Sequence, residues 1–102
     1  MSASPLLFHS QAALEVEEAL AWYREQSPTA EERFLADFQH AVEQVASAPR
    51  RWPRFRASTR RYVFRRFPYS LIYKMSGSTI RVLAVAHDRR RASYWTSRLR
   101  TD

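Results

Sequence analysis

The chain has no cysteine, one glycine and one lysine in 102 residues. Without cysteine there is neither a disulfide framework nor a thiolate metal site. His9 and His40 fall on different predicted elements with no ligand-type spacing, so no metal and no other cofactor is expected. No apolar run is long enough to span a bilayer, which excludes a membrane-spanning helix. The N-terminal Met-Ser-Ala-Ser-Pro lacks the charged start and apolar core of a signal peptide, and a cytoplasmic location is the expectation. The length suits one domain over residues 1–102 and is too short for two. Gly77 is the only residue free of the steric penalty on positive φ, which marks it as a tight turn.

What the chain does have is arginine, unevenly placed. Residues 1–49 hold two arginines against eight acids, a net of −6. Residues 50–102 hold fourteen arginines and Lys74 against Asp88 and Asp102, a net of +13, which together give the +7 of the whole. A preference for arginine over lysine follows from codon bias alone; its crowding after Pro49 does not. The split points to a polyanionic partner, nucleic acid or an acidic protein segment, met by the C-terminal half.

Leu6 to His9 has the look of a first short strand. Ser10 stands in an N-cap position, and from there to about Gln26 the residues favour helix, with Leu14, Leu20, Ala21 and Tyr23 on one side and Glu15, Glu17 and Glu18 in the first turns. Ser27 and Pro28 restart the pattern as cap and first helical residue. A second helix runs to about Ala46, with Phe34, Phe38, Val42 and Val45 as its apolar stripe and Leu35 and Ala41 widening it. Pro49 ends it, and residues 49–59 read as an ordered basic loop. Three strand-like runs follow, at Tyr62–Phe67, Tyr69–Met75 and Thr79–His87, with Pro68 and then Ser76-Gly77-Ser78 between them. In the last run Ile80, Val82, Ala84 and Ala86 alternate with Arg81, Leu83, Val85 and His87, and both sets are mostly apolar, as in a central strand covered on both faces. The expected fold class is α+β: an N-terminal strand and a helical hairpin packed on a curved antiparallel sheet, with a short C-terminal helix or tail. Phe38 and Leu83 are expected in the core between hairpin and sheet.

The order of helical hairpin and meander, the segment Phe67-Pro68-Tyr69-Ser70-Leu71-Ile72-Tyr73, the strand end His87-Asp88-Arg89-Arg90 and the following Tyr94-Trp95 together resemble the RelE/ParE superfamily of toxins from type II toxin–antitoxin pairs. The resemblance spans nearly the whole chain. It implies a cognate antitoxin, a toxin–antitoxin hetero-oligomer and one of two targets. The RelE-like branch cleaves messenger RNA on the ribosome; the ParE-like branch poisons DNA gyrase and is not known as a nuclease. Matched position by position, Arg61 and Arg65 fit the first meander strand of the ribonuclease pattern, Arg89 its strand end and Tyr94 its aromatic. Ser70 stands where that branch has an arginine. The long hairpin and the His87–Arg90 ending place the chain nearer the ParE side.

For RNA cleavage by its own 2′-hydroxyl, a base, an acid and cations for the phosphorane charge are needed. His87 suits proton transfer, Arg61, Arg65, Arg81 and Arg89 supply charge, and Tyr94 can donate a proton or stack on a base. The plainer reading of His87 is a strand-end imidazole bonded to a neighbouring backbone group or to Asp88. For binding a target or an acidic antitoxin, the candidates are Arg61, Arg65, Arg81, Arg89, Arg90 and Arg91. Trp95 reads as structural; Tyr94 and Trp52 each fit a structural or a contact role. The function expected first is a toxin that stops growth by binding an essential nucleic-acid machine, gyrase by resemblance. A ribosome-dependent endoribonuclease is the alternative, and a non-toxic nucleic-acid-binding module a second one.

Overall fold

The computed structural model describes residues 3–101. Its elements run β1 (Leu6–Phe8), α1 (Ser10–Gln26), α2 (Pro28–Ser47), β2 (Arg60–Val63), β3 (Tyr69–Ser76) and β4 (Thr79–His87), with 3₁₀ turns at Arg56–Ser58 and Thr96–Arg100. The sheet is open and ordered β1-β4-β3-β2. β2, β3 and β4 form the expected antiparallel meander, whereas β1 joins β4 in parallel, Leu6 opposite Ile80 and Phe8 opposite Val82. The α1–α2 hairpin covers one face, α1 over β4 and α2 over β2. The class is the expected α+β.

Local chemistry explains most boundaries. Ser27 caps α2 by accepting from the Ala30 N–H at 3.0 Å, with Pro28 at the first helical position. Gly77, at φ +61°, opens a two-residue hairpin between the paired Ser76 and Thr79. Other boundaries depart from expectation. The cap of α1 is His9 and not Ser10: its Nδ1 accepts from the Gln11 N–H at 3.0 Å. The first meander strand stops at Val63 because Asp37 on α2 withdraws its continuation. One Asp37 oxygen, Oδ2, accepts from the N–H groups of both Arg66 and Phe67, at 3.0 and 2.9 Å. Amides held by a carboxylate cannot serve a ladder, and residues 64–68 turn instead.

The hairpin-side core holds Ala12, Ala19, Phe34, Ala41, Val45, Tyr62, Phe64, Leu71, Tyr73, Ile80, Val82 and Val85. Phe34 is its centre, with the rings of Tyr23 at 5.2 Å, Tyr69 at 5.1 Å and Phe67 at 5.5 Å. On α2 the stripe of Phe34, Phe38, Ala41, Val42 and Val45 faces inward as expected, Phe38 half-buried against Phe8 with 5.9 Å between centroids, but Leu35, expected to widen it, is exposed. On α1 it is rotated: Ala12 and Ala19 face the sheet, while Leu14 and Ala21 are exposed.

β4 carries a bulge. β3 pairs Ile72 with Ala84 and then Tyr73 with Val82, so Leu83 has no opposite residue. The extra residue reverses the inside–outside alternation. Ile80, Val82 and Val85 face the hairpin, whereas Leu83 and Ala84, although consecutive, both join a second cluster with Ile72 and Trp95. Leu83 is therefore not between hairpin and sheet as expected; it lies on the opposite face. There the C-terminal segment lays Trp95, 1% exposed, over the sheet, with Phe55, Tyr94 and Leu99 around it. Trp95 is structural. So is Trp52, whose ring meets Tyr62 edge-on at 4.7 Å while its Nε1–H donates to the Gln44 carbonyl at the end of α2.

The basic loop ends in a strained turn. Ala57 and Ser58 have φ of 54° and 62°, and the Thr59 N–H closes on the Arg56 carbonyl. A left-handed non-glycine residue costs about 1–2 kcal/mol, and glycine gives back part of that gain through its looser unfolded chain. Ala57→Gly should therefore raise stability by about 0.5–1 kcal/mol in urea denaturation; an unchanged or lower midpoint would mean that the turn stores no strain.

Candidate functional site

β1 stops pairing with β4 at Val82, and past that point the β4 edge has no strand neighbour. Side chains take the ladder's place. Glu15 of α1 accepts the Val85 N–H on Oε1 at 2.9 Å. Arg98 donates Nη1–H to the Leu83 carbonyl at 3.0 Å and grips Glu15 with both nitrogens, each at 3.0 Å. The Tyr94 hydroxyl donates to Glu15 Oε2 at 2.7 Å. The two charged side chains are about a tenth exposed, 11% for Arg98 and 10% for Glu15. Burial alone would lower the Arg98 pKa; the hydrogen bonds and charge of Glu15 outweigh it, and the net shift is upward. In the sequence Glu15 is one of three acids in the first turns of α1, and Arg98 one of fourteen arginines after Pro49. The spacing of three from Ala12 and four from Ala19, both buried, puts Glu15 on the inward face of α1, a face that the stripe expected from the sequence did not include.

Above this network runs a cleft of about 700 Å³ between α1 and the ends of β3 and β4. Ala19, Tyr23, Tyr69 and Val85 form its apolar floor, and Trp22, 57% exposed, stands at its edge. His87, Arg89 and Arg90 line the far side. The His87 Nδ1 accepts from the Arg89 N–H at 3.0 Å, and its ring meets Tyr69 edge-on at 5.0 Å. That is the plain strand-end role. The bulge turns His87 to the hairpin side, away from Arg81, with which a strict alternation would group it.

The five residues of the ribonuclease pattern do not converge. Arg61 stacks over Phe55 at 4.8 Å. Arg65 lies against α2, its Nη1 3.1 Å from His40 Nε2. Tyr94 is locked onto Glu15 and flanked by Arg90 at 3.8 Å and Arg98 at 5.0 Å. His87 and Arg89 are together at the cleft. Among the binding candidates, Arg81 donates to the Thr101 carbonyl at 2.8 Å, and Arg89, Arg90 and Arg91 are exposed. Ser70 is buried, 5% exposed. Among the described residues no group of three or more His, Cys, Asp or Glu is placed to hold a metal ion, and no helix is long and apolar enough to cross a membrane.

Residues 6–92 match the family described as the ParE toxin of type II toxin–antitoxin system, parDE. Among solved structures, a chain from the chromosomal ParDE TA system from P. aeruginosa is similar, with a TM-score of 0.72 and 17% identity over 83% of this chain and 96% of that one. That likeness shows a shared fold. A search of curated proteins returns no match.

Removing one partner of a buried ion pair leaves an uncompensated charge, so Glu15→Ala should cost about 3–5 kcal/mol. Arg89→Ala, at an exposed position, should stay within about 0.5 kcal/mol of wild type. Equal losses in the two variants would refute the role given to Glu15. Four tyrosines, Tyr62 among them, are raised by burial and add a pH signature. Burial pushes the Tyr73 hydroxyl, which donates to the Pro49 carbonyl, up to about 12. Burial also raises Tyr69 and Tyr94, the latter helped by its hydrogen bond to Glu15. The native state thus keeps protons that the unfolded chain releases near the ordinary value of 10.0. With respect to these groups stability should be flat below pH 10 and fall as pH rises beyond it, and Tyr94→Phe should flatten that fall. Denaturation midpoints measured across this range test the sign.

Proposed function

The chain belongs to the ParE toxin family of type II toxin–antitoxin systems, and on that premise we propose that it stops growth by binding DNA gyrase and is neutralised by an acidic antitoxin. The supporting observation is the filled second face of the sheet. Ile72, Leu83 and Ala84 lie buried under Trp95, and Ser70, 5% exposed, offers no cation there. Catalysis by charge needs donors within hydrogen-bond reach of the phosphate. The cations that would serve are spread over the Phe55 surface, the α2 side and the cleft. Binding has no such requirement. It is favoured by an exposed basic end, which Arg89, Arg90 and Arg91 provide, with Arg90 held on the Tyr94 ring.

An antitoxin suited to this surface carries an acidic, partly disordered segment that neutralises the arginines and buries apolar side chains as it folds. The cleft beside Trp22 supplies an apolar floor next to Arg89 and Arg90 for such a segment.

Induced expression should arrest growth, and co-expression of a cognate antitoxin should relieve it; unaffected growth would favour the non-toxic binding module. In vitro, added protein should reduce supercoiling by gyrase. Programmed ribosomes should show no cleavage of messenger RNA, and His87→Ala should leave gyrase inhibition nearly unchanged. Ribosome-dependent cuts that vanish in His87→Ala and Arg89→Ala would instead establish the endoribonuclease, since loss of one charge donor there typically costs about 10²–10³ in rate.

A further inference from the structure

On the side of the molecule away from Trp95, α2 and the turn after β2 enclose a concavity of about 370 Å³ lined by Arg33, Ala36, Asp37, His40, Arg65 and Arg66. Four of the six are cationic or imidazole side chains. Arg33 and His40, seven residues apart, lie two turns from each other on one face of α2. Arg65 and Arg66 come from the turn that Asp37 anchors through the Arg66 and Phe67 amides. Asp37, 6% exposed and hydrogen-bonded to those amides, keeps its carboxylate charge in the lining and offsets one of the three guanidinium charges. The Arg33 and Arg66 guanidinium groups have no hydrogen-bond or ion-pair partner among the described residues. Among the described residues the hydrogen-bond partner of the Arg65 guanidinium is His40, and because a guanidinium has no acceptor, His40 Nε2 must accept; this bond itself supplies no counter-charge.

From this juxtaposition we propose that Arg33, His40, Arg65 and Arg66 form a binding site for a phosphate oxyanion. Three guanidinium groups against the one carboxylate of Asp37 leave the lining net positive, and an anion between the guanidinium groups is attracted to it. The same protein shows how it treats a carboxylate: Glu15 is gripped by the fork of one arginine. A tetrahedral phosphate offers four oxygens and can accept from several forks at once. An acidic peptide is the poorer fit, because peptide docking relies on apolar anchors and Ala36 is the one apolar side chain in the lining. The site is separate from the cleft at His87 and Arg89, and it stands independently of the toxin reading.

The test follows the His40 ring protons by NMR as inorganic phosphate or a short oligonucleotide is added at fixed ionic strength. Saturable shifts are expected, and Arg65→Gln/Arg66→Gln should weaken them about tenfold, consistent with the loss of cationic contacts to phosphate. Arg50→Gln/Arg51→Gln removes the same net charge from exposed loop positions and should leave them within about twofold. Shifts with phosphate alone identify a free anion as the source, and shifts with the oligonucleotide only identify a nucleic-acid backbone; either supports the site. It is overturned if neither probe shifts His40, if the two double variants weaken binding equally, or if a polyglutamate peptide binds as tightly as the oligonucleotide. Thermal melts confirm that the exposed substitutions leave the fold intact.

Discussion

The Glu15–Arg98 pair is the interaction on which most of the fold's second half depends. A three-residue β1 leaves the β4 edge uncovered, and the bulge at Leu83 interrupts regular pairing within the same strand. An uncovered edge buried under the chain's own C-terminal segment would leave an amide and a carbonyl without partners, at about 1–3 kcal/mol each. Val85 and Leu83 are met by one carboxylate and one guanidinium that also neutralise each other. A buried ion pair gains little net stability against the desolvation of both charges. Its contribution is to geometry. It fixes α1 against β4, sets where the chain runs after Arg91, and so places Trp95 over the sheet.

The elements of this fold were legible in the sequence wherever one residue carries one local signal. Gly77 marked the hairpin and Ser27-Pro28 the helix start. Features were missed where a residue acts against its usual type. Asp37 and Glu15 point inward, and a polarity pattern assigns charges outward; Asp37 thereby shortens β2 and Glu15 turns α1 relative to the expected stripe. The bulge at Leu83 leaves no compositional trace, because leucine and alanine suit either face of a fully covered strand. The exposed Arg89–Arg91 run was readable as a displayed surface. The convergence of Arg33 and His40 with Arg65 and Arg66 was not, since it depends on where one aspartate pulls the turn.

Arginine thus does two kinds of work here. Arg60, Arg81 and Arg98 send their guanidinium groups to backbone carbonyls of Trp52, Thr101 and Leu83, tying loops and the C-terminal segment to the sheet. Arg89, Arg90, Arg91, Arg33 and Arg66 are displayed. A count of net charge treats the two groups alike, although in the first the charge of Arg98 is matched by Glu15 and the guanidinium donors are already engaged, whereas the second offers its donors to a partner. The many N–H donors of a guanidinium suit both tasks, which gives the preference over lysine a physical use whatever its origin.

The parallel pairing of Leu6 with Ile80 has a consequence for how the chain assembles. The helical hairpin and the β3–β4 turn join neighbours in sequence and can form early. β1 has no strand partner until β4 exists, and closing a loop of that span carries an entropic cost that only the finished sheet offsets. During synthesis the first strand to be made is the one that must wait. Until β4 arrives its apolar residues are open to other edges, and the hydrophobic hairpin beside it is the surface best placed to shield them.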